Sequence, residues 1–260
     1  MSAHIQPGQF VWHDLMSNTP EESTKFYQRI FGWDLEVAHM GEAIGDYTMF
    51  KHDDTTIGGV VGLDPAHGVP SHWISYISVD DVDAACKSTE HAAGTVAVPP
   101  FDIPNVGRTA VLADPTGAYF SPYTETSDES FTPPAPAVGL FNWHELMSTD
   151  IEKAKSYYTA LVGWSIGSME MQDPPDTYWM FQHGDQPVAG AIQMPAAAGE
   201  DAVSNWLPYI GVANVPESAK KTKELGGTIH VPPTHMREPS TVHFAVLGAP
   251  DGSMFGIVEV

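Results

Sequence analysis

The sequence predicts an α+β protein built from four β-α-β-β-β units that pair into two curved-sheet cups. Three observations predict it. The chain repeats itself once along its length. Each copy holds two helix signals, each preceded by one short strand pattern and followed by three. A Pro-, Ser- and acid-rich stretch separates the copies.

The repeat is dense. Trp12-His13-Asp14-Leu15-Met16-Ser17 returns as Trp143-His144-Glu145-Leu146-Met147-Ser148. Tyr47-Thr48-Met49-Phe50 returns as Tyr178-Trp179-Met180-Phe181, and Trp73–Val79 as Trp206–Val212. The offset between copies drifts by only a few residues, so insertions are confined to loops. Domain one spans 7–126, the linker 127–137 and domain two 138–260, and each domain is long enough to bury a core of its own.

Within copy one, Phe10 to Ser17 reads as a strand. Asn18, Thr19 and Pro20 start a helix, with Glu21 and Glu22 in the first turn, where the dipole favours acids. Phe26, Tyr27, Ile30 and Phe31 follow at helical spacing, and Gly32 stops the helix. In copy two Asp150 caps, Ala154, Tyr157, Tyr158, Leu161 and Val162 form the apolar stripe, and Gly163 stops it. Strands are expected near 33–39, 46–51 and 56–63. The next unit has a strand at 73–79, a helix at 81–92 ended by Gly94, and strands near 95–98, 107–113 and 118–124. The last helix is expected near 215–225, ended by Gly226-Gly227. A helix covers one face of each small sheet, and the opposite, concave face is a natural small-molecule site.

Phe26-Tyr27 ahead of Phe31-Gly32-Trp33, Tyr157-Tyr158 ahead of Val162-Gly163-Trp164, Val79-Asp80-Asp81-Val82-Asp83-Ala84, and the turns Asp114-Pro115-Thr116-Gly117 and Pro250-Asp251-Gly252 together resemble the vicinal-oxygen-chelate superfamily. That superfamily comprises glyoxalases, bleomycin-resistance proteins and extradiol dioxygenases, and the tandem arrangement resembles its two-repeat glyoxalase-like subgroup. The resemblance implies the fold more strongly than a reaction, because one fold carries many chemistries. It also implies a divalent metal held by His and Glu on the concave strands. The positions to which it assigns those ligands hold Trp12 and Trp143, Ile74 and Leu207, and Ser121 and Gly256, none of them a metal ligand here.

No metal or other cofactor is therefore expected, with a divalent metal ion held by His13 or His144 as the alternative. Side chains alternate along a strand, so His13 and His144 should point toward the helix layer while Trp12 and Trp143 face the cup. A bulge would swing a histidine inward. Asp14 and Glu145 share parity with the tryptophans. A carboxylate in an apolar cup acts as a general base, anchors a cation beside an indole, or pairs with a backbone amide or an Arg; the sequence leaves these open. Asp14 and Glu145 are the candidate catalytic residues. Trp12, Trp143, Tyr119, Ser121 and Tyr123 are the candidate ligand contacts. Copy two replaces the last three with Met254, Gly256 and Val258, so the cups differ chemically. His230, His235 and His243 show no ligand spacing.

Composition narrows the classes further. A net charge of −22, from 33 acids against 11 Lys and Arg, disfavours nucleic acid and anionic membrane as partners. No P-loop, Rossmann glycine pattern or G-x-S-x-G elbow is present. The one cysteine, Cys86, lies in a helical context and reads as a buried structural thiol. With no secretory signal at the N-terminus, this predicts a cytoplasmic protein. The expected partner is a small apolar or aromatic molecule in a Trp-lined cup, and the expected state is a monomer with an internal pseudo-twofold or a weak homodimer. Enzymatic activity stays open, with a metal-dependent lyase or dioxygenase as the alternative function.

Overall fold

The strand patterns and helix signals become elements close to their expected bounds in the computed structural model, which describes residues 5–41, 45–126, 134–171, 177–199, 202–236 and 241–260. Residues 127–133 of the expected linker lie outside the described residues. Copy one opens with β1 (Phe10–Ser17), α1 (Pro20–Phe31), β2 (Asp34–His39), β3 (Asp46–His52) and β4 (Thr55–Gly62). Its second module is β5 (His72–Ser78), α2 (Val82–His91), β6 (Thr95–Ile103), β7 (Gly107–Ala113) and β8 (Tyr119–Glu125). Copy two runs β9 (Phe141–Ser148), α3 (Ile151–Val162), β10 (Ser165–Glu170), β11 (Thr177–His183) and β12 (Gln186–Gln193). It ends with β13 (Asn205–Val212), α4 (Val215–Glu224), β14 (Thr228–His235), β15 (His243–Gly248) and β16 (Met254–Glu259).

Each copy forms one eight-stranded sheet, in the orders β2-β3-β4-β1-β5-β8-β7-β6 and β10-β11-β12-β9-β13-β16-β15-β14. Within each module the first strand pairs parallel with the last, which requires the intervening helix as a crossover. Several helix ends follow their capping signals, although Thr19 before α1 makes no side-chain cap bond. Asp150 accepts a bond from the Lys153 amide at 3.1 Å, and Gly32 and Gly163 adopt φ of 75° and 72°.

Two details depart from the sequence reading. The left-handed residue after α2 is Ala93 at φ 64°, one position before the expected Gly94. Strand β6 runs to Ile103 through Pro99 and Pro100, well past the expected 98. It tolerates them because it is an edge strand and its pairing with β7 shifts register twice around the prolines.

The larger departure concerns the core. Two compact units form, and each draws on both copies. Unit 1 is Met1–Trp12, Ser75–Pro133 and Trp143–Trp206, and unit 2 is His13–Ile74, Pro134–Asn142 and Leu207–Val260. In unit 1, Ile77, Leu112 and Phe120 of copy one pack with Tyr158, Trp164 and Phe181 of copy two, and α2 packs on α3. In unit 2, Leu15, Trp33 and Phe50 pack with Ile210, Leu247 and Phe255, and α1 packs on α4. A copy therefore does not bury a core of its own. The core face of one module is covered by a module of the other copy, so each fully buried Phe gains its ~1.5–3 kcal/mol across the repeat boundary.

The shared turn motifs stitch these cores. In unit 1 the Asp114 carboxylate accepts from the Thr116 amide at 2.7 Å and from the Tyr158 hydroxyl at 3.1 Å, while the Trp206 indole donates to that hydroxyl at 2.7 Å. In unit 2 Asp251 accepts from Ser253, Ser17 and Ser23, and the Trp73 indole donates to Tyr27 at 2.9 Å. Burial alone would raise the Asp251 pKa, but these hydrogen bonds outweigh it and hold the carboxyl below its ordinary range. The Phe-Tyr and Tyr-Tyr motifs are thus core anchors, each hydroxyl satisfied where burial would otherwise penalise it. Cys86 is a buried free thiol, and burial pushes its pKa up.

Candidate functional site

Alternation along β1 and β9 sorts their side chains onto two faces. Leu15 and Leu146 are fully buried in the cores, so His13, Leu15 and Ser17, like His144, Leu146 and Ser148, line the core face. Trp12, Asp14 and Met16, and Trp143, Glu145 and Met147, take the opposite face. The histidine contacts agree with this sorting. The His13 ring stacks on Phe141 at 3.8 Å, and the His144 ring stacks on Phe10 at 3.6 Å. His13 bonds to the backbone of Ile57, yet burial dominates and lowers its pKa to about 3.

On the opposite face, the two units carry versions of one cluster. In unit 1 the Trp143 indole donates to the Tyr178 hydroxyl at 2.9 Å, and that hydroxyl donates to the Glu145 carboxylate. Burial is the largest cause of a strongly raised Tyr178 pKa, followed by the Glu145 charge, so the tyrosine keeps its proton. In unit 2 the Tyr47 hydroxyl donates to Asp14. Beneath each pair lies a glycine that pairs with the carboxylate residue across a parallel ladder, Gly190 with Glu145 and Gly59 with Asp14. A Cβ on either glycine would collide with the tyrosine hydroxyl, so the absence of a side chain lets the ring lie against the sheet.

Each candidate base therefore accepts a hydrogen bond from a tyrosine hydroxyl. Sequence reasoning did not single out Tyr47 and Tyr178. The signal was present, because both open the repeated Tyr-x-Met-Phe strand three residues before a buried Phe, and so share the face opposite the core. What was missing was the strand register that sets Met49 against Gly59 and Met180 against Gly190.

Neither His13 nor His144 converges with its neighbouring carboxylate on a divalent metal. The histidines and the carboxylates next to them in sequence lie on opposite faces of the same strand, so they do not converge on one ion. Among the described residues no group of three or more His, Cys, Asp or Glu is arranged to hold a metal.

Tyr119, Ser121 and Tyr123 share the face of β8 opposite the buried Phe120. Tyr119 is exposed, Tyr123 bonds the Val106 carbonyl at 3.0 Å, and the buried Ser121 hydroxyl lacks a protein partner. In copy two the Tyr209 ring lies flat over Gly256, filling the place where Ser121 stands in copy one. His243 bonds Glu259 at 3.1 Å and stacks on His235. A separate surface cleft of about 620 Å³ lies in unit 1 near Ser88, Pro115, Lys153 and Tyr157, among residues of α2, α3 and their flanking turns and away from the strand faces. No helix among the described residues is long and apolar enough to cross a membrane.

Comparison with known proteins yields one consistent family. The model of the Glyoxalase/Bleomycin resistance protein/Dioxygenase superfamily matches residues 4–121. The anthracycline biosynthesis protein DnrV of Streptomyces peucetius is 30% identical over 272 residues, covering 98% of this chain and 94% of its own. CFP32 of Mycobacterium tuberculosis, provisionally named a glyoxylase, is 29% identical over 250 residues, covering 95% and 93%. Among solved structures, the Mn(II)-bound glyoxalase of Novosphingobium aromaticivorans superposes with a TM-score of 0.61 at 16% identity, over 98% of this chain and 82% of that one. The 2,2',3-trihydroxybiphenyl 1,2-dioxygenase of Sphingomonas wittichii does so with a TM-score of 0.62 at 13% identity, over 98% and 91%. At such identities the structural likeness speaks for the fold alone.

Proposed function

The chain belongs to the glyoxalase/bleomycin resistance protein/dioxygenase superfamily, and from that premise we propose that it binds a small apolar or aromatic molecule on the strand faces that carry its tryptophans, without the metal of its metal-bound relatives. The observation that carries this reading is the Trp143–Tyr178–Glu145 chain over Gly190. An indole and a phenol, oriented by a hydrogen bond and partly exposed, offer flat area at little entropic cost. Trp143 and Tyr178 are the contacts in copy two, and Trp12, Tyr119, Ser121 and Tyr123 those in copy one. Glu145 and Asp14 are the hydrogen-bond acceptors of the faces, each already accepting from a tyrosine hydroxyl. An anthracycline, the product class named for DnrV, is an aromatic compound of the kind such a face accepts.

Quenching of tryptophan fluorescence by a panel of polycyclic aromatic compounds tests the proposal. Saturable quenching that weakens in Trp143→Ala is expected. A flat response across the panel overturns it. Protein purified without chelator is expected to hold divalent metal far below one equivalent, and a stoichiometric Mn, Fe, Ni or Zn content would restore the metalloprotein reading.

A further inference from the structure

Resting on the aromatic-ligand reading, the geometry points to Ser121 as the polar recognition group of copy one: we propose that the β5–β8 face of unit 1 takes an aromatic molecule bearing a carbonyl oxygen, to which the Ser121 hydroxyl donates.

Ser121 is 1% exposed, and its Oγ makes no hydrogen bond. Such a hydroxyl destabilises the free protein, because it has left water without finding another partner. Its surroundings suggest what would satisfy it. Ser121 pairs with Tyr76 across the parallel ladder to β5, and alternation along β8 sets it between Tyr119 and Tyr123. The same face continues over β7 onto β6, where Thr109 faces Phe101 and Val111 faces Val98. Tyr119, Phe101 and Val98 are all exposed. Rings and apolar groups lying open around one orphan hydroxyl have the composition of a ligand face rather than of a core. Tyr76 stands beside Ser121 and is partly exposed, so its ring is the one a ligand displaces to reach the hydroxyl. One serine hydroxyl donates one bond. That bond satisfies a carbonyl, whereas a ligand hydroxyl or ammonium brings further donors that need partners of their own.

The equivalent place in unit 2 is closed. Gly256 stands where copy one has Ser121, and the buried Tyr209 ring lies flat over it. A ring there fills the position that the hydroxyl holds in unit 1. Within unit 1, Ser75 supplies a control. Its buried hydroxyl is likewise unbonded, but it shares the core face of β5 with Ile77, away from the rings around Ser121.

Two probes of one shape test this. 2-Acetylnaphthalene and 2-isopropenylnaphthalene differ only by a carbonyl oxygen in place of a methylene. Both are titrated calorimetrically into the full-length protein carrying Trp143→Ala, which removes the indole of the copy-two face. Adding Ser121→Ala is expected to lower the ketone-to-alkene affinity ratio about fivefold, and adding Ser75→Ala to leave it unchanged. By itself, Ser121→Ala is expected to melt no lower than the natural protein, because it removes an unpaired buried hydroxyl. A ratio unmoved by Ser121→Ala, or an equal fall in Ser75→Ala, overturns the assignment. So does a Ser121→Ala protein that melts lower or fails to fold, since the hydroxyl would then be bonded in the free protein. Binding seen in the natural protein but lost in Trp143→Ala also overturns it, while leaving the aromatic-ligand reading intact. Failure of both probes to bind the natural protein removes that reading as well.

Discussion

The two carboxylate–tyrosine pairs are related by the internal repeat, yet they are not chemically equivalent. In unit 2 an Asp lies buried under Tyr47, on a face that also holds a Lys–Glu ion pair. In unit 1 a Glu, longer by one methylene, reaches the surface beside Trp143, on strands without a single Lys or Arg. The comparison teaches that duplication kept the architecture of the pair, a tyrosine laid on glycine and bonded to an acid, while exposure and neighbouring charge diverged. The unit 2 version has the character of a structural pin and the unit 1 version that of a reading head.

The largest expected effect sharpens the separation of core face from ligand face. His13 has an ordinary pKa of 6.5 and a folded value of about 3. Below pH 6.5 the unfolded chain takes up a proton that the folded chain refuses, so stability falls with pH down to about 3, and His13 alone contributes roughly 3 kcal/mol of loss by about pH 4.5. Urea unfolding of His13→Phe across that range is expected to show a flatter acid limb. A limb as steep as that of the natural protein would mean that His13 is not the buried neutral ring described.

Next come the glycine floors. Gly59→Ala and Gly190→Ala each set a methyl group against a tyrosine hydroxyl, and overpacking of this kind costs about 1–3 kcal/mol. Both variants are expected to melt lower, but only Gly190→Ala should also impair quenching by aromatic ligands. Equal loss of binding in both would erase the distinction between pin and reading head.

Asp14→Asn and Glu145→Gln are the smallest pair. The buried Asp14 bond to Tyr47 is expected to cost about 1–2 kcal/mol when weakened, and the partly exposed Glu145 bond less, about 0.5 kcal/mol. Differential scanning calorimetry of the two variants ranks them, and the reverse order would break the comparison.

Much of this was legible in the sequence. The repeat, the helix caps at Asp150 and Gly163, and the parity of Trp12 and Asp14 against His13 all follow from spacing. Other features were not legible, because they depend on what meets across the chain. That Phe120 of copy one packs in a core with Tyr158 of copy two is a matter of module pairing, which no local pattern encodes. Tyr178 acquires its part only through a register that sets Gly190 beside Glu145. Strand β6 outran its expected end because prolines that would stop a central strand are tolerated at an edge. Exposure, which separates Asp14 from Glu145, is likewise a property of the assembled sheet.

The account turns on where an aromatic ligand sits. A crystal soaked with a bromonaphthalene, with the bromine located by its anomalous signal, measures this directly. The expected result is a bromine peak within van der Waals reach of Trp143 and Met180. A peak in the cleft beside Tyr157, or one next to His144 on the core side of β9, would contradict it.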